Sequence, residues 1–221
     1  MLPTSTKIDK PAVLNQSKVA GRPKSQEKRK QILFCAGELF LEQGYDRTSM
    51  DAVAKQSGVS KQTVYSHFQN KDVLYTAVIE GKCEEYRIAD AALSAQNNSL
   101  DDILQDIASS FIHLLNDKRV IAMHSVIIGE SKNNTHVAAL FYEAGPLHSI
   151  RVVTDLLKSH PDCQLTTENA KETAIDFFNL LKSDYHMLSM LGLPYEQSEQ
   201  QLNNYAKKVV VKTLKIIEIY R

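Results

Sequence analysis

Apolar residues recur along this chain with the period of an α-helix, and no segment alternates as a half-buried strand does. Ile32, Leu33, Ala36, Leu39 and Phe40 fall at i, i+1, i+4, i+7 and i+8, one face of a helix that starts after Ser25 as N-cap. Phe34 and Cys35 flank that stripe, and Gly44 stands where a C-terminal glycine cap belongs. Thr48 or Ser49 caps a second, short helix with Met50, Val53 and Ala54 inward, and Gly58 stops it. Ser60 caps a third over Lys61–Phe68, with Val64 and Phe68 as its buried stripe. Asn70 caps a fourth, whose apolar side runs from Val73 and Leu74 through Ala77 and Val78 to Cys83 and Tyr86, ending near Ser94.

Beyond Ser99 the pattern stays helical. Ser99 and Asp102 form a capping pair ahead of Ile103, Ile107, Phe111, Leu114 and Leu115. Arg119–Gly129 is strongly apolar and expected to be buried. Asn134–Ala144 and His148–Lys158 read as two helices broken at Gly145-Pro146. Thr167–Leu191 is long and apolar on more than one side, Gly192-Leu193-Pro194 ends it, and Tyr195–Tyr220 is the last helix. The expectation is an all-α chain of about nine helices.

Residues 1–24 hold Pro3, Pro11, Gly21 and Pro23 among polar residues and show no helical period, which predicts a flexible basic arm. The arm belongs to a basic end. Residues 1–75 carry 12 Lys and Arg against 7 Asp and Glu, a net +5, so that an overall charge of zero leaves −5 on the remainder. Such asymmetry points to a polyanion at one end only. Eight Gly and six Pro in 221 residues favour long helices over a turn-rich β fold. The apolar runs are too short to span a bilayer, and the first twenty residues lack the apolar stretch of a secretory signal, so a cytoplasmic protein with no membrane partner is expected. Cys35, Cys83 and Cys163 are widely spaced and read as free thiols.

Thr48 to Lys71 carries the chemistry. Two helices of about eight residues joined through Gly58-Val59-Ser60 have the size of a helix-turn-helix. Gly58 takes a positive φ without the penalty of a Cβ, Val59 tucks between the helices and Ser60 caps the second. With Val64 and Phe68 inward, the third helix turns Lys61, Gln62, Thr63, Ser66 and His67 outward. Amide, cationic and hydroxyl-methyl groups match the acceptors and the thymine methyl of a major groove, and the N-terminal residues of such a helix lead.

Gly-Arg-Pro-Lys at 21–24, Leu39-Phe40 with Gly44-Tyr45, Thr48-Ser49-Met50, and Gly58 through Phe68 followed by Asn70-Lys71 closely resemble the TetR family of transcriptional regulators, over roughly residues 21–85. The remainder is most similar to AcrR/AefR-type members. The resemblance implies a helix-turn-helix domain over residues 25–71 and a helical ligand-binding and dimerisation domain over 72–221. It implies that Lys61, Gln62 and Thr63 face bases, that Thr48, Tyr65, His67 and Lys71 touch phosphates, and that Arg22 and Lys24 reach the minor groove.

One short reading helix discriminates few base pairs, so two heads on a two-fold axis and a palindromic operator, with half-sites about 34–36 Å apart or a multiple of that, are expected. The last two helices carry more apolar residues than one core face needs. Members of the family dimerise through their final two helices, which implies a homodimer with Ala174, Phe178, Leu181, Tyr205, Val209 and Ile216 as interface candidates. For a small-molecule effector, the polar-tipped aromatics and soft residues within apolar helices are the candidates: Tyr86, His113, Met123, His124, Phe141, Tyr142, Phe177, Tyr185 and His186. The function expected is that of a repressor released from its operator when the effector binds, without cofactor or metal. The alternative keeps the fold and replaces the trigger by a cysteine, Cys83 or Cys163, or by a protein partner. Enzyme signatures are missing from the sequence: no GxSxG, GxGxxG, P-loop or HExxH occurs.

Overall fold

A computed structural model describes residues 22–86, 88–93 and 98–220. Among these residues there are helices and connecting turns and no strand. The helices are α1 (Arg22–Arg47), α2 (Met50–Ser57), α3 (Lys61–His67), α4 (Lys71–Glu85), α5 (Ile88–Leu93), α6 (Leu100–Asn116), α7 (Lys118–Glu130), α8 (Thr135–Tyr142), α9 (His148–Ser159), α10 (Thr167–Met190) and α11 (Glu199–Tyr220). A π-helical turn, Glu143–Leu147, joins α8 to α9 without a break.

The caps fall largely as the side-chain chemistry directs. Ser49, Ser60, Asn70 and Ser99 each accept a hydrogen bond from the backbone N–H three residues on. Ser99 also donates to Asp102 at 2.7 Å, closing the expected capping pair. Four outcomes differ from expectation. Helix α1 begins at Arg22 rather than after Ser25, and the rest of the expected arm, residues 1–21, lies outside the described residues. Gly145-Pro146 does not break the helix. Pro146 has no N–H to give an i−4 carbonyl, and the wider π turn takes it up. Helix α10 is interrupted at Ser183, a non-glycine residue at φ 52°. Helix α11 starts at Glu199, four residues after Tyr195.

Packing does not divide at residue 71. One apolar cluster joins Ile32, Ala36, Phe40, Val53, Val64 and Phe68 of the head to Leu74 and Tyr75 of α4, and then to Met123, Ile127 and Val137 of α7 and α8. Within it Tyr75 stands edge-to-face on both Phe40 and Tyr45, whose rings lie nearly parallel to each other. The second cluster is the body, with α6 and its fully buried Ile103, Leu104 and Ile107 against α10 and α11. Each fully buried apolar side chain contributes about 1.5–3 kcal/mol. Head and α4 therefore hold together by packing, and the polar links between them set orientation. Helix α7 is buried only along Val120, Met123 and Ile127; Ile128 faces outward.

Candidate functional site

The helix-turn-helix is built by its turn. Gly58 adopts φ 65°, ψ 24°, and the N–H of Val59 returns to the carbonyl of Ala54 at 3.2 Å. A Cβ at Gly58 would meet no atom within 4 Å, so glycine is required by backbone conformation and not by space. Val64 and Phe68 are buried against α1 and α2, with the Arg29 guanidinium over the Phe68 ring at 5.3 Å. The opposite face presents Lys61, Gln62, Tyr65 and Ser66 to solvent, with Thr63 and His67 half-buried at its edges. This is the polar face expected of a groove reader. Lys61 pairs with Asp51 of α2 at 2.8 Å; an ion pair this exposed is weak, so the ammonium is readily exchanged onto a stronger acceptor. Thr63 and Ser60 hydroxyls lie 2.8 Å apart, which fixes the first turn of α3.

Two of the expected phosphate ligands are engaged inside the protein. Thr48 is buried, and its hydroxyl donates to the Gly44 carbonyl at 2.8 Å; the exposed hydroxyl at the start of α2 is that of Ser49. Lys71 is half-buried and donates to the Tyr45 carbonyl at 2.9 Å and to that of Asp46 at 3.4 Å, with its ammonium over the Tyr45 ring. It ties the start of α4 to the end of α1. Arg22 and Lys24 stand in the first turn of α1, and their expected minor-groove role lies outside the described side chains.

Between head and body lies a cavity of about 930 Å³. Leu33, Phe34 and Leu41 of α1 and Val78 and Cys83 of α4 wall it on one side. Phe111 of α6, Met123 and His124 of α7, Phe141 of α8 and Phe178 of α10 wall the other. Of the sequence candidates, Met123, His124, Phe141, Tyr142 and His186 line it. Tyr86, His113, Phe177 and Tyr185 do not. Tyr86 donates to Asp117 at 2.9 Å, His113 lies 3.6 Å from Glu199 on a different surface, Phe177 is fully buried in the body core, and Tyr185 donates to the Leu181 carbonyl at 2.7 Å.

The charges at the wall are mostly paired. Arg119 meets Glu38, and Lys82 meets Asp117 at 2.7 Å and Glu85 at 2.8 Å. Burial lowers the pKa of His124, and burial, with the neighbouring His124 and Lys182, pushes His186 down to about 4, so both rings are neutral at physiological pH. Burial raises Cys83 to about 11, helped by Glu80 and Glu84, which leaves its thiol protonated.

Four interface candidates belong to the single chain's interior. Ala174, Leu181 and Val209 are buried in the body core, and Phe178 is buried edge-to-face on Phe111 at 4.7 Å, in the cavity wall. Tyr205 and Ile216 are half-buried, and Tyr205 donates to the Leu180 carbonyl. The side of α11 left open carries Val211 and Ile219 instead. The cavity residues of α1 carry a signal in the sequence. Lys30, Phe34, Gly37 and Leu41 form a second stripe of helical period beside the core stripe, and Leu33 lies between the two.

Comparison with known proteins agrees with this geometry. The profile of bacterial regulatory proteins of the tetR family matches residues 32–78, and that of the AefR-like transcriptional repressor C-terminal domain matches residues 102–215, more than half of the chain. The HTH-type transcriptional activator FasR of Mycolicibacterium smegmatis is 44% identical over 54 residues, 24% of this chain and 25% of FasR; the match thus spans a quarter of that relative's length. The flavonoid-responsive regulator FrrA is 30% identical, with a TM-score of 0.62 over 86% of this chain and 96% of FrrA. A TetR-family regulator from Mesorhizobium loti shares the fold at 24% identity, with a TM-score of 0.69 over 88% of this chain and 98% of its own. Head, body and their order along the chain all agree: the protein belongs to the TetR family of DNA-binding transcriptional regulators, with an AefR-like C-terminal domain.

Proposed function

We propose that the chain is a homodimeric, effector-released repressor that reads a palindromic operator through α3. The observation that carries this reading is the cavity's position. Its walls come from α1 and α4 on one side and from α6, α7, α8 and α10 on the other, so a molecule that fills it presses directly on the helices that carry the head. Gln62 and Thr63 lead into the groove, with Lys61 beside them once it leaves Asp51. Ser49, Tyr65 and His67 flank them toward the phosphates. The dimer forms along α10 and α11, where Val211 and Ile219 are exposed and Leu214 and Ile216 half-buried.

Release is a population shift. The effector binds better to a form in which α4 and the head have swung relative to the body, and the two heads lose operator spacing. Full switching needs about 5.5 kcal/mol of differential affinity, the size of two or three apolar groups buried in the swung form alone. Repression is the mode named for the AefR-like domain, whereas FasR is named an activator. A cysteine trigger is not favoured, because the Cys83 thiol that lines the cavity is held protonated and Cys163 is buried in the body core.

The test is selection of bound fragments from the source genome, followed by footprinting and by challenge of the complex with cell extracts. A protected palindrome, lost from the selected set when Gln62→Ala or Thr63→Ala changes the preferred sequence, supports the reading. A monomer that protects no fragment at low ionic strength overturns it, and a complex that survives every extract overturns the effector part.

A further inference from the structure

Three hydrogen bonds from body to head start from one short stretch of chain. Glu130 closes α7, Asn134 caps α8 and His136 stands in its first turn, so all three flank the turn at residues 131–134. The Glu130 carboxylate accepts the Tyr45 N–H at 3.4 Å. It fills the space that a Cβ would take at Gly44, where the backbone of α1 bends at φ 79°. Asn134 donates from Nδ2 to Asp46 at 2.9 Å, while its Oδ1 accepts the Val137 N–H as the cap of α8. His136 Nε2 meets the Asp72 carboxylate at 2.8 Å. The residues gripped lie just before α2 and just after α3, at the two ends of the segment that forms the reading pair. Those ends are also tied to each other, by Tyr45 to Asp72 and by Lys71 to the Tyr45 carbonyl. The body therefore holds the head by its base.

We propose that Glu130, Asn134 and His136 are positioning residues for operator reading: they fix the angle of the head on the body and so set the half-site spacing that the dimer accepts. This rests on the dimeric operator reading above and names the contacts that regulate it. Apolar packing of Met123, Ile127 and Val137 on the head holds the two together but is non-directional. Hydrogen bonds weaken steeply away from their axis, and three at separate points define an orientation. They need contribute little to folding, since the His136–Asp72 and Asn134–Asp46 pairs lie at the surface. The helices on either side of the grip, α7 and α8, supply Met123, His124, Phe141 and Tyr142 to the cavity wall. A molecule that moves those helices therefore moves the grip, and the head with it.

The experiment uses the full-length protein and the palindrome that the wild type selects from a random duplex library. Three further duplexes are made from it: one with a base pair added at the centre, one with a base pair removed, and one with a single half-site. A one-pair change moves the half-sites by about 3.4 Å and turns them by about 35° about the helix axis. The wild type should prefer the selected spacing by at least about tenfold. His136→Ala and Asn134→Ser, the second keeping a cap for α8, should together reduce that preference to about threefold or less. Their single half-site affinity and melting temperature should stay at wild-type values, which separates positioning from a general loss of structure. Wild-type discrimination in the double variant would overturn the inference and leave the operator reading standing. Weakening of half-site and palindrome by the same factor, or a parallel fall in melting temperature, would also overturn it. A wild type that selects no palindrome, or is indifferent to spacing, would overturn the dimeric reading and this inference together.

Discussion

The carboxylate of Asp72, in the first turn of α4, accepts a hydrogen bond from Nε2 of His136 in α8 at 2.8 Å. Its other oxygen receives the hydroxyl of Tyr45. One side chain thus joins the end of α1, the start of α4 and the body. Two further links lie beside it. Asn134 donates to Asp46 at 2.9 Å, and the Tyr45 N–H points at Glu130 at 3.4 Å. The turn between α7 and α8 therefore grips the bend from which the reading head departs.

Asp72→Ala removes both hydrogen bonds and is expected to lower stability by about 1–2 kcal/mol in denaturant unfolding. The Tyr45 hydroxyl, followed by His136 and Lys71, holds the Asp72 pKa below its ordinary 3.8. Its contribution is therefore present above pH 3.8 and is lost as pH falls through the folded value. Unfolding curves of wild type and Asp72→Ala should converge in acid; a gap that persists unchanged there would contradict this assignment.

Gly44 and Gly58 both have positive φ, but their substitutions should differ. At Gly58 a methyl meets open space, so Gly58→Ala costs only the backbone term, about 1–2 kcal/mol. At Gly44 (φ 79°) a Cβ would also collide with the Glu130 carboxylate. Gly44→Ala should be the more damaging, and adding Glu130→Ala should recover the steric part alone. Gly44 also has ψ 176°, a conformation essentially confined to glycine, so part of its loss is backbone strain; a Gly44→Ala loss that Glu130→Ala leaves wholly unchanged would show that the carboxylate yields freely.

Lys71 and Gln62 separate positioning from reading. Lys71→Ala removes the ammonium from the Tyr45 and Asp46 carbonyls, so its main effect should be a lower melting temperature. Operator binding should then show a salt slope reduced by much less than the roughly 0.9 expected for a lost phosphate contact. Gln62→Ala should leave melting unchanged and relax the preferred base at one position of each half-site, measured by binding to a randomised operator library.

His186 predicts an acid sensitivity. Its folded pKa of about 4 lies below the ordinary 6.5, so between those values the unfolded chain takes up a proton that the folded one refuses. Stability should fall as pH drops from 6.5 toward 4, and His186→Phe should flatten that part of the profile. The ring is half-buried, so solvent reduces the effect below that of a fully sealed group. An unaltered profile in the variant would assign the slope elsewhere.

Cys83 should be slow to react. With its thiol raised to about 11 by burial, labelling by a maleimide at neutral pH should lag far behind that of a free cysteine, and Cys83→Ser should leave operator binding under oxidant unchanged. Rapid modification that abolishes binding would revive the cysteine trigger.

Much of this protein was decided by local chemistry. The caps at Ser49, Ser60, Asn70 and Ser99, the left-handed turn at Gly58, and the inward Val64 and Phe68 depend on residues within a few positions of one another, so their spacing alone specifies them. The outward face of α3 follows from that same geometry. Contacts between distant segments are not written in any local period. Thr48 and Lys71 suit a phosphate in sequence, and only the fold turns them toward the carbonyls at the end of α1. Phe178 and Val209 have the spacing of an interface stripe, yet helices packed on every side bury them within one chain. The cavity is the clearest case. His124 and His186 are far apart along the chain, and they share a wall because α7 and α10 pack side by side, which depends on the fit of whole helix surfaces rather than on any one residue's neighbours.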